Sequence, residues 1–202
     1  SAIAKFKMEG TENTYFLAWT TTPWTLPSNV ILSVNANETY VKAKYQDYYV
    51  IMAEALLDSV LGEGNYEVVE SMKGDLEYVK YDPLFDFQPN GEDFKGYFVT
   101  CDDYVTLTDG TGIVHTAYAY GEDDYRVCKK YDVTFYQNVD TTGHLNSLAG
   151  PFEGLFVKDA DPVILKYMEE NGTLFAALPF EHNYPFCWRC DTPLLYYARS
   201  TW

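Results

Sequence analysis

The sequence is poor in positive charge, cysteine and histidine, and it contains no long apolar run. Its 14 Lys and Arg stand against 30 Asp and Glu, a formal charge of −16. That balance repels phosphate backbones, so a broad electrostatic grip on nucleic acid is excluded and any contact with one must be local. Four cysteines in 202 residues, of which only Cys187 and Cys190 are closely spaced, make no disulfide framework. No stretch approaches the roughly 18 apolar residues that a membrane span needs, and Ser1 to Gly10 lacks the charged-then-apolar layout of a signal peptide. A cytoplasmic location without membrane contact is the expectation. Gly-x-Ser-x-Gly, His-Glu-x-x-His and a phosphate loop are absent, and His144 and His182 stand isolated. Chemistry that travels with those signatures is excluded, and no cofactor is implied.

What is present is core material. With 47% hydrophobic residues in 202, the chain can bury a sizeable core, and a single domain over residues 1–202 is expected. The 19 tyrosines and 12 phenylalanines are spread along the chain, which suits core and pocket walls rather than a platform for single-stranded nucleic acid. Strand patterns run over residues 3–8, 15–19, 30–34, 40–45, 48–52, 66–71, 96–100 and 113–114, with a hairpin turn at Gln46-Asp47. Helical spacing runs over 53–61, stopped by Gly62, and over 122–131, where Glu122, Asp123 and Asp124 favour the N-terminal dipole. A third helix opens with Asp161 as N-cap and Pro162 at N1, presents Val163, Ile164, Tyr167 and Met168 as its apolar face, and stops at Gly172. Lys73-Gly74-Asp75-Leu76 reads as a turn and 88–93 as a polar loop. Many short strands with few helices predict a mixed α/β, β-rich fold: a β-barrel-like core with peripheral helices.

The most informative stretch is Ala18-Trp19-Thr20-Thr21-Thr22-Pro23-Trp24-Thr25-Leu26-Pro27-Ser28-Asn29. An apolar strand leads in, and the two prolines forbid its continuation as a paired central strand or helix. The threonines therefore sit where a strand breaks, several neutral donors and acceptors beside a bulky apolar wall, which is a small-molecule pocket in outline. By composition alone, an ordinary strand end with a proline turn is the simpler reading. However, Thr20 to Asn29 closely resembles the threonine-rich motif in the editing domain of isoleucyl-tRNA synthetases. Pro23-Trp24-Thr25 points to the isoleucine enzymes, since the valine and leucine relatives typically carry an Arg-Pro and an acidic residue there.

A second stretch, Gly110-Thr111-Gly112-Ile113-Val114-His115-Thr116-Ala117-Tyr118-Ala119-Tyr120-Gly121-Glu122-Asp123-Asp124-Tyr125, delivers a histidine at a strand end and an acidic cluster at a helix start. A carboxylate there can hold an ammonium group, and an imidazole opposite can shape a pocket or relay a proton. The simpler reading is a satisfied core histidine and an aspartate that supports its helix. The stretch is similar to the second editing motif of the same synthetases, which maps onto His115, Ala117, Gly121 and Asp124. The resemblance implies that Asp124 anchors the α-ammonium of the misattached amino acid and that His115 limits the side chain admitted. Tyr118 stands where the family usually has proline, which puts the loop geometry in question. A third feature, Cys187-Trp188-Arg189-Cys190, could be half of a zinc site, but a second cysteine pair is missing and no metal is expected. Residues 183–202 resemble the exit of the synthetase chain from the editing domain towards its catalytic core.

The resemblance implies hydrolysis of valyl-tRNA formed in error on the isoleucine tRNA, with valyl-adenylate as a second candidate substrate and no aminoacylation. Binding alone rejects valine poorly, because one methylene is worth only ~1–3 kcal/mol, a limit for which isoleucyl-tRNA synthetase is itself the standard illustration. The implied partners are the 3′ end of the mischarged tRNA, its valine moiety and the rest of the synthetase; a monomer is the default. In the implied site, Asp124 fixes the ammonium group, while Thr20, Thr21, Thr22 and Thr25 orient ester, ribose and water. Trp24, Leu26 and His115 line the side-chain pocket, and Asn29 braces the motif or meets the terminal adenosine. Two alternatives stand beside this reading: an editing fold whose hydrolysis is weakened by Tyr118, and an acidic interaction domain without chemistry.

Overall fold

The computed structural model describes residues 1–72, 76–177, 186–191, 194–195 and 198. In chain order it contains β1 (Ala2–Lys7), β2 (Thr14–Thr20), a 3-10 helix (Pro23–Ser28), β3 (Asn29–Val34), β4 (Tyr40–Tyr45) and β5 (Tyr48–Ala53). There follow a short 3-10 turn (Glu54–Leu56) running into α1 (Leu57–Leu61), then β6 (Tyr66–Ser71), β7 (Phe98–Cys101), β8 (Val114–Ala117) and α2 (Glu122–Lys130). A 3-10 segment (Ser147–Phe152), α3 (Val157–Asn171) and β9 (Leu174–Ala177) complete it. Among the described residues no helix is long and apolar enough to cross a membrane.

The strands form one sheet in the order β6-β4-β5-β2-β8-β3-β7, with β1 on β2 and β9 on β1. Strand β2 organises the layout. From Tyr15 to Thr20 it pairs antiparallel with β1, while its other edge is divided, Thr14 to Phe16 pairing with β5 and Trp19 with Val114 of β8. Handing one edge from β5 to β8 splits the sheet where the threonines begin. Bridges Met8↔Tyr81 and Lys80↔Phe98 then connect the end of β1 to β7 through residues 80 and 81. The backbone bonds from Asp82 to Lys7 and from Tyr81 to Tyr97 close the same seam. The result is the barrel-like core that strand-rich patterning leads one to expect, filled by Phe6, Phe16, Leu26, Leu32, Ile113 and Phe152. All six residues of β3 are buried, because the barrel interior lies on one face and α2, through Val127 and Cys128, covers the other. At the opposite extreme, β6 is an edge strand with Glu67 and Glu70 facing solvent, charge that guards an unpaired edge against further pairing.

Three sequence expectations need correction. Pro23 and Pro27 do end the strand, but they do not forbid a helix: residues 23–28 form a 3-10 helix, since Pro23 at N1 needs no donor. Helix α3 begins at Val157, with Phe156 at its N-cap, so Asp161 is not a cap and Pro162 lies inside the helix. The buried stripe explains this: Val157, Ala160, Ile164 and Met168 pack inwards, drawing in an extra turn, while Val163 is exposed. The segment 88–93 starts with Gln88, which is buried and bonded rather than solvated. Gly172 ends α3 in the left-handed conformation, as its position suggests. The turn at Lys73-Gly74-Asp75 lies outside the described residues, as does much of 183–202.

The loop leading into β8 is docked by glycine. Gly112 has φ +78°, and a Cβ there would come within 2.5 Å of the Ala53 Cβ. Its carbonyl accepts from the Tyr40 hydroxyl at 2.6 Å, which fixes where β8 starts. Gly112→Ala should therefore cost about 2–4 kcal/mol through the left-handed backbone and the clash together. A urea titration checks it, with Gly91→Ala, where nothing lies within 4 Å, expected to stay within about 0.5 kcal/mol of the parent.

Candidate active site

Strand β2 ends by presenting Thr20, and the 3-10 helix returns Thr25 towards it. Thr22 sits between them at the N-cap, where threonine ordinarily turns its hydroxyl back on its own helix. Here it makes no such bond. Instead the hydroxyls form a row: Thr20 Oγ1 lies 3.5 Å from Thr22 Oγ1, and Thr22 Oγ1 lies 3.2 Å from Thr25 Oγ1. The Thr22 N–H donates to Thr20 Oγ1 at 3.1 Å, and the Thr25 hydroxyl donates to the Thr22 carbonyl at 2.8 Å. Thr20 and Thr25 are buried, whereas Thr21 and Thr22 are partly exposed. Thr21 makes no side-chain hydrogen bond among the described residues, leaving its hydroxyl open to a ligand.

The row ends on His115. Its Nε2 lies 2.8 Å from Thr25 Oγ1, and its Nδ1 lies 2.9 Å from Asn29 Nδ2. An amide NH₂ can only donate, so Nδ1 accepts and the ring carries its proton on Nε2, donating to Thr25. Burial pushes the imidazole down to about 3, so it is neutral at physiological pH. Asn29 is in turn held at both ends, its Nδ2 donating to the Ile31 carbonyl and its Oδ1 accepting from the Tyr81 hydroxyl. Burial raises Tyr81 well above its usual range, which keeps that donor protonated. Gln88 holds the backbone of the turn, donating to the carbonyls of Pro27 and Asn29. Ser28 donates to Asn138 Oδ1.

Asp124 approaches from α2. Its Oδ2 accepts from the Ala117 N–H at 3.2 Å, two residues along β8 from His115. Gly121 makes this possible for a steric reason: a Cβ there would meet Asp124 Oδ1 at 2.9 Å and Cγ at 3.0 Å, so only a bare α-carbon lets the carboxylate fold back over the helix start. Burial pushes Asp124 up to about 6, Asp123 adding to the effect and the Ala117 N–H opposing it. Tyr104 and Cys128 face it as neutral groups, each raised in part by its charge. No Lys, Arg or His pairs with Asp124 among the described residues. Tyr118, in the place of the family proline, turns its ring onto Tyr125 and Phe135 at 5.4 and 5.1 Å, and Ala117 beside it keeps its bond to Asp124.

The structure thus brings Thr20, Thr22, Thr25, Asn29 and His115 into one connected network and sets Asp124 at the end of the same strand. It also shows what several of these side chains touch. His115 has both nitrogens engaged and braces Thr25, so it is no free proton relay. Asn29 and Leu26 are fully buried, and of the two places expected for Asn29 its hydrogen bonds are those of a brace for the motif. Trp24 is nearly enclosed, its ring edge-on to Tyr120 at 5.2 Å, and its Nε1–H has no partner among the described residues. The sequence reading missed Tyr81, Gln88, Asn138 and Asp161, the last of which accepts from the Trp24 N–H at 2.8 Å. No periodicity marks these residues, whose partners lie 52, 61, 110 and 137 residues away in the chain. Cys187 and Cys190 lie apart from all of this, and among the described residues no three His, Cys, Asp or Glu gather as a metal site would require.

Two consequences are measurable. Unfolded histidine takes a proton near pH 6.5, but His115 resists until about 3. Its burial therefore supports the fold fully above pH 6.5 and progressively less as pH falls to about 3. Asp124, raised from 3.8 to about 6, has the opposite sign, its contribution falling as pH rises across that window. Because the two oppose each other, NMR titration is the clean test: His115 should show no midpoint between pH 5 and 8, with Nε2 protonated. Separately, Gly121→Ala should displace the Asp124 carboxylate and bring its titration midpoint down as it moves into water, with little change in secondary structure by circular dichroism.

Comparison with known proteins gives these features a context. No family model matches the chain. Isoleucine–tRNA ligases of Clostridium novyi, Clostridium acetobutylicum and Bacillus thuringiensis are 52%, 53% and 47% identical to it, in each case over 203 aligned residues that cover 100% of this chain and 19% of the relative. The chain accordingly spans about a fifth of the length of these curated relatives. Among solved structures, GlLeuRS-CP1 superposes with a TM-score of 0.68 at 15% identity, covering 89% of this chain and 99% of that one. The P. knowlesi cytosolic leucyl-tRNA synthetase editing domain superposes at 0.61 and 12%, covering 86% and 94%. At those identities the likeness is one of fold. Along its whole length, then, the chain is similar at about 50% identity to one section of the isoleucine–tRNA ligases, and it has the fold of synthetase editing domains.

Proposed function

We propose that this domain hydrolyses the ester of valyl-tRNA formed in error on the isoleucine tRNA, with valyl-adenylate as a second candidate substrate. The observation that carries the reading is Asp124, a half-buried carboxylate, held only by backbone N–H groups, that no cation of the described residues pairs with. Such a group is costly to hold empty, and a ligand ammonium is the partner that relieves it. An α-amino group is also what distinguishes an aminoacyl ester from other esters. The open hydroxyls of Thr21 and Thr22, with Thr20 beside them, hold the ester, the terminal ribose and a water. That water attacks the ester carbonyl carbon, the bond to the ribose oxygen breaks, and that oxygen leaves with a proton, releasing valine and uncharged tRNA.

No strong base stands at the threonines, since His115 is neutral with both nitrogens engaged. Catalysis therefore rests on positioning, with a ribose hydroxyl of the substrate as proton carrier. His115 serves by holding Thr25, the nearly enclosed Trp24 backs the threonine turn from within, and selectivity for valine follows if the space over that turn is too small for isoleucine. The partners under this reading are the 3′ end of the mischarged tRNA and the remainder of the synthetase, in the cytoplasm. One copy of the chain supplies every group named, so a monomer suffices.

Valyl-tRNA and isoleucyl-tRNA, both charged on the isoleucine tRNA, are the test substrates. The parent should release valine selectively, and Asp124→Ala should slow this by about 100-fold or more, as expected when one partner of a buried charge pair is removed. Affinity for a non-hydrolysable valyl-adenosine analogue should weaken as pH falls through about 6, where Asp124 takes its proton. An Asp124→Ala variant that hydrolyses and binds like the parent would sink the reading.

A further inference from the structure

The N-terminus of the 3-10 helix raises an accounting question. Its second residue, Trp24, has a backbone N–H that no helical bond can use. The residue suited to receive it is Thr22 at the N-cap, whose hydroxyl would normally do so. Yet that hydroxyl stands in the row between Thr20 and Thr25, and the Trp24 N–H goes to Asp161 Oδ1, 137 residues away in sequence.

Asp161 occupies an expensive place. It lies inside α3, directly before Pro162, and the two residues together cost the helix a hydrogen bond to the Lys158 carbonyl and crowd the preceding turn. Neither residue is chosen for helix formation. The side chain is half-buried against the 3-10 helix rather than fully solvated, with Lys158 one turn before it and the Ser1 amine as the charges that face it. What the position provides is a carboxylate oxygen at the one point where the threonine turn lacks an acceptor.

We propose that Asp161 is a positioning residue of the editing reaction: by capping the 3-10 helix from outside through the Trp24 N–H, it releases the Thr22 hydroxyl from that duty and keeps it in the row that faces the substrate. The proposal rests on the hydrolytic reading above and adds a residue to it. Without the carboxylate, Thr22 Oγ1 turns inwards to take the orphaned N–H, and the row is broken between Thr20 and Thr25. The defect falls on the reacting geometry, because the ammonium anchor on α2 is untouched.

Deacylation of valyl-tRNA by the parent, Asp161→Ala, Asp161→Asn, Thr22→Ala and the Asp161→Ala/Thr22→Ala double variant tests this, with Asp124→Ala as control. Asp161→Ala should lower kcat about 10-fold, the size of a lost capping bond, with KM nearly unchanged. Asp161→Asn keeps an acceptor oxygen and should stay within about 3-fold of the parent. The double variant should be little worse than Thr22→Ala alone, since both changes remove the same hydroxyl from the row. Asp161→Ala equal to the parent, or effects of Asp161→Ala and Thr22→Ala that multiply independently, would overturn the Asp161 proposal while leaving an Asp124-dependent hydrolase in place. A parent that neither hydrolyses nor binds the valyl-adenosine analogue would overturn the functional reading, and this proposal with it. Hydrogen exchange at the Trp24 amide, slow in the parent and Asp161→Asn, still protected through Thr22 in Asp161→Ala and fast in the double variant while the sheet amides stay protected, separates the lost cap from general unfolding; a Trp24 amide already fast in Asp161→Ala would overturn the inward turn of Thr22.

Discussion

A single neutral imidazole joins the parts of this domain that the chain keeps far apart. His115 on β8 accepts from Asn29 at the start of β3 and donates to Thr25 in the 3-10 helix. Only the uncharged ring with its proton on Nε2 can make both bonds, because a charged ring has two donors and would meet the Asn29 amide donor to donor. Burial enforces that state by making the charged form costly. The constraint continues outwards. Asn29 is fixed by the Tyr81 hydroxyl, and Tyr81 belongs to the segment that closes β1 onto β7. Barrel closure and the orientation of the threonines are thus one hydrogen-bonded structure, and loosening either disturbs the other.

Three aspartates, Asp102, Asp124 and Asp161, show how placement sets one residue type in different surroundings. Asp102, its side chain mostly covered, lies in the fork of Arg126, at 2.9 and 2.8 Å, and these bonds hold its carboxyl below the usual carboxylate range. Asp124 has only a backbone N–H and is pushed up by burial, which leaves it suited to receive a cation. Asp161 is pushed up as well, but its oxygen is spent on the Trp24 N–H, which makes it an internal brace. The overall charge of −16 therefore says little about the site, where two carboxylates are separated by their hydrogen bonds rather than by their number.

Much of this was legible in the chain. Alternation marked most strands, glycine and aspartate marked α2, and Gly172 marked the end of α3, because each of these signals acts within a few residues. The threonine run and the His-x-Ala, Gly-x-x-Asp stretch stood out through their resemblance to the synthetase editing motifs, since by composition alone each reads as ordinary strand-end or helix-start structure. Legibility failed where tertiary packing outweighed local preference. Asp161-Pro162 reads as a helix start, yet the buried stripe beginning at Val157 carries the helix through it. Gln88 reads as a loop residue, yet its amide satisfies two carbonyls inside the core.

The sequence by itself determined the strand-rich class, the two motifs and the residue types available to the site. The tertiary structure decided what those residues do: that His115 braces instead of relaying, that Asn29 and Leu26 are internal, that Tyr118 packs on α2, and that Asp161 belongs to the threonine turn. The physical reason is separation along the chain. The bonds that assign these roles span 90 residues for Thr25 and His115, 86 for Asn29 and His115, and 137 for Trp24 and Asp161. No local pattern encodes such partners, and they meet only when the sheet curls.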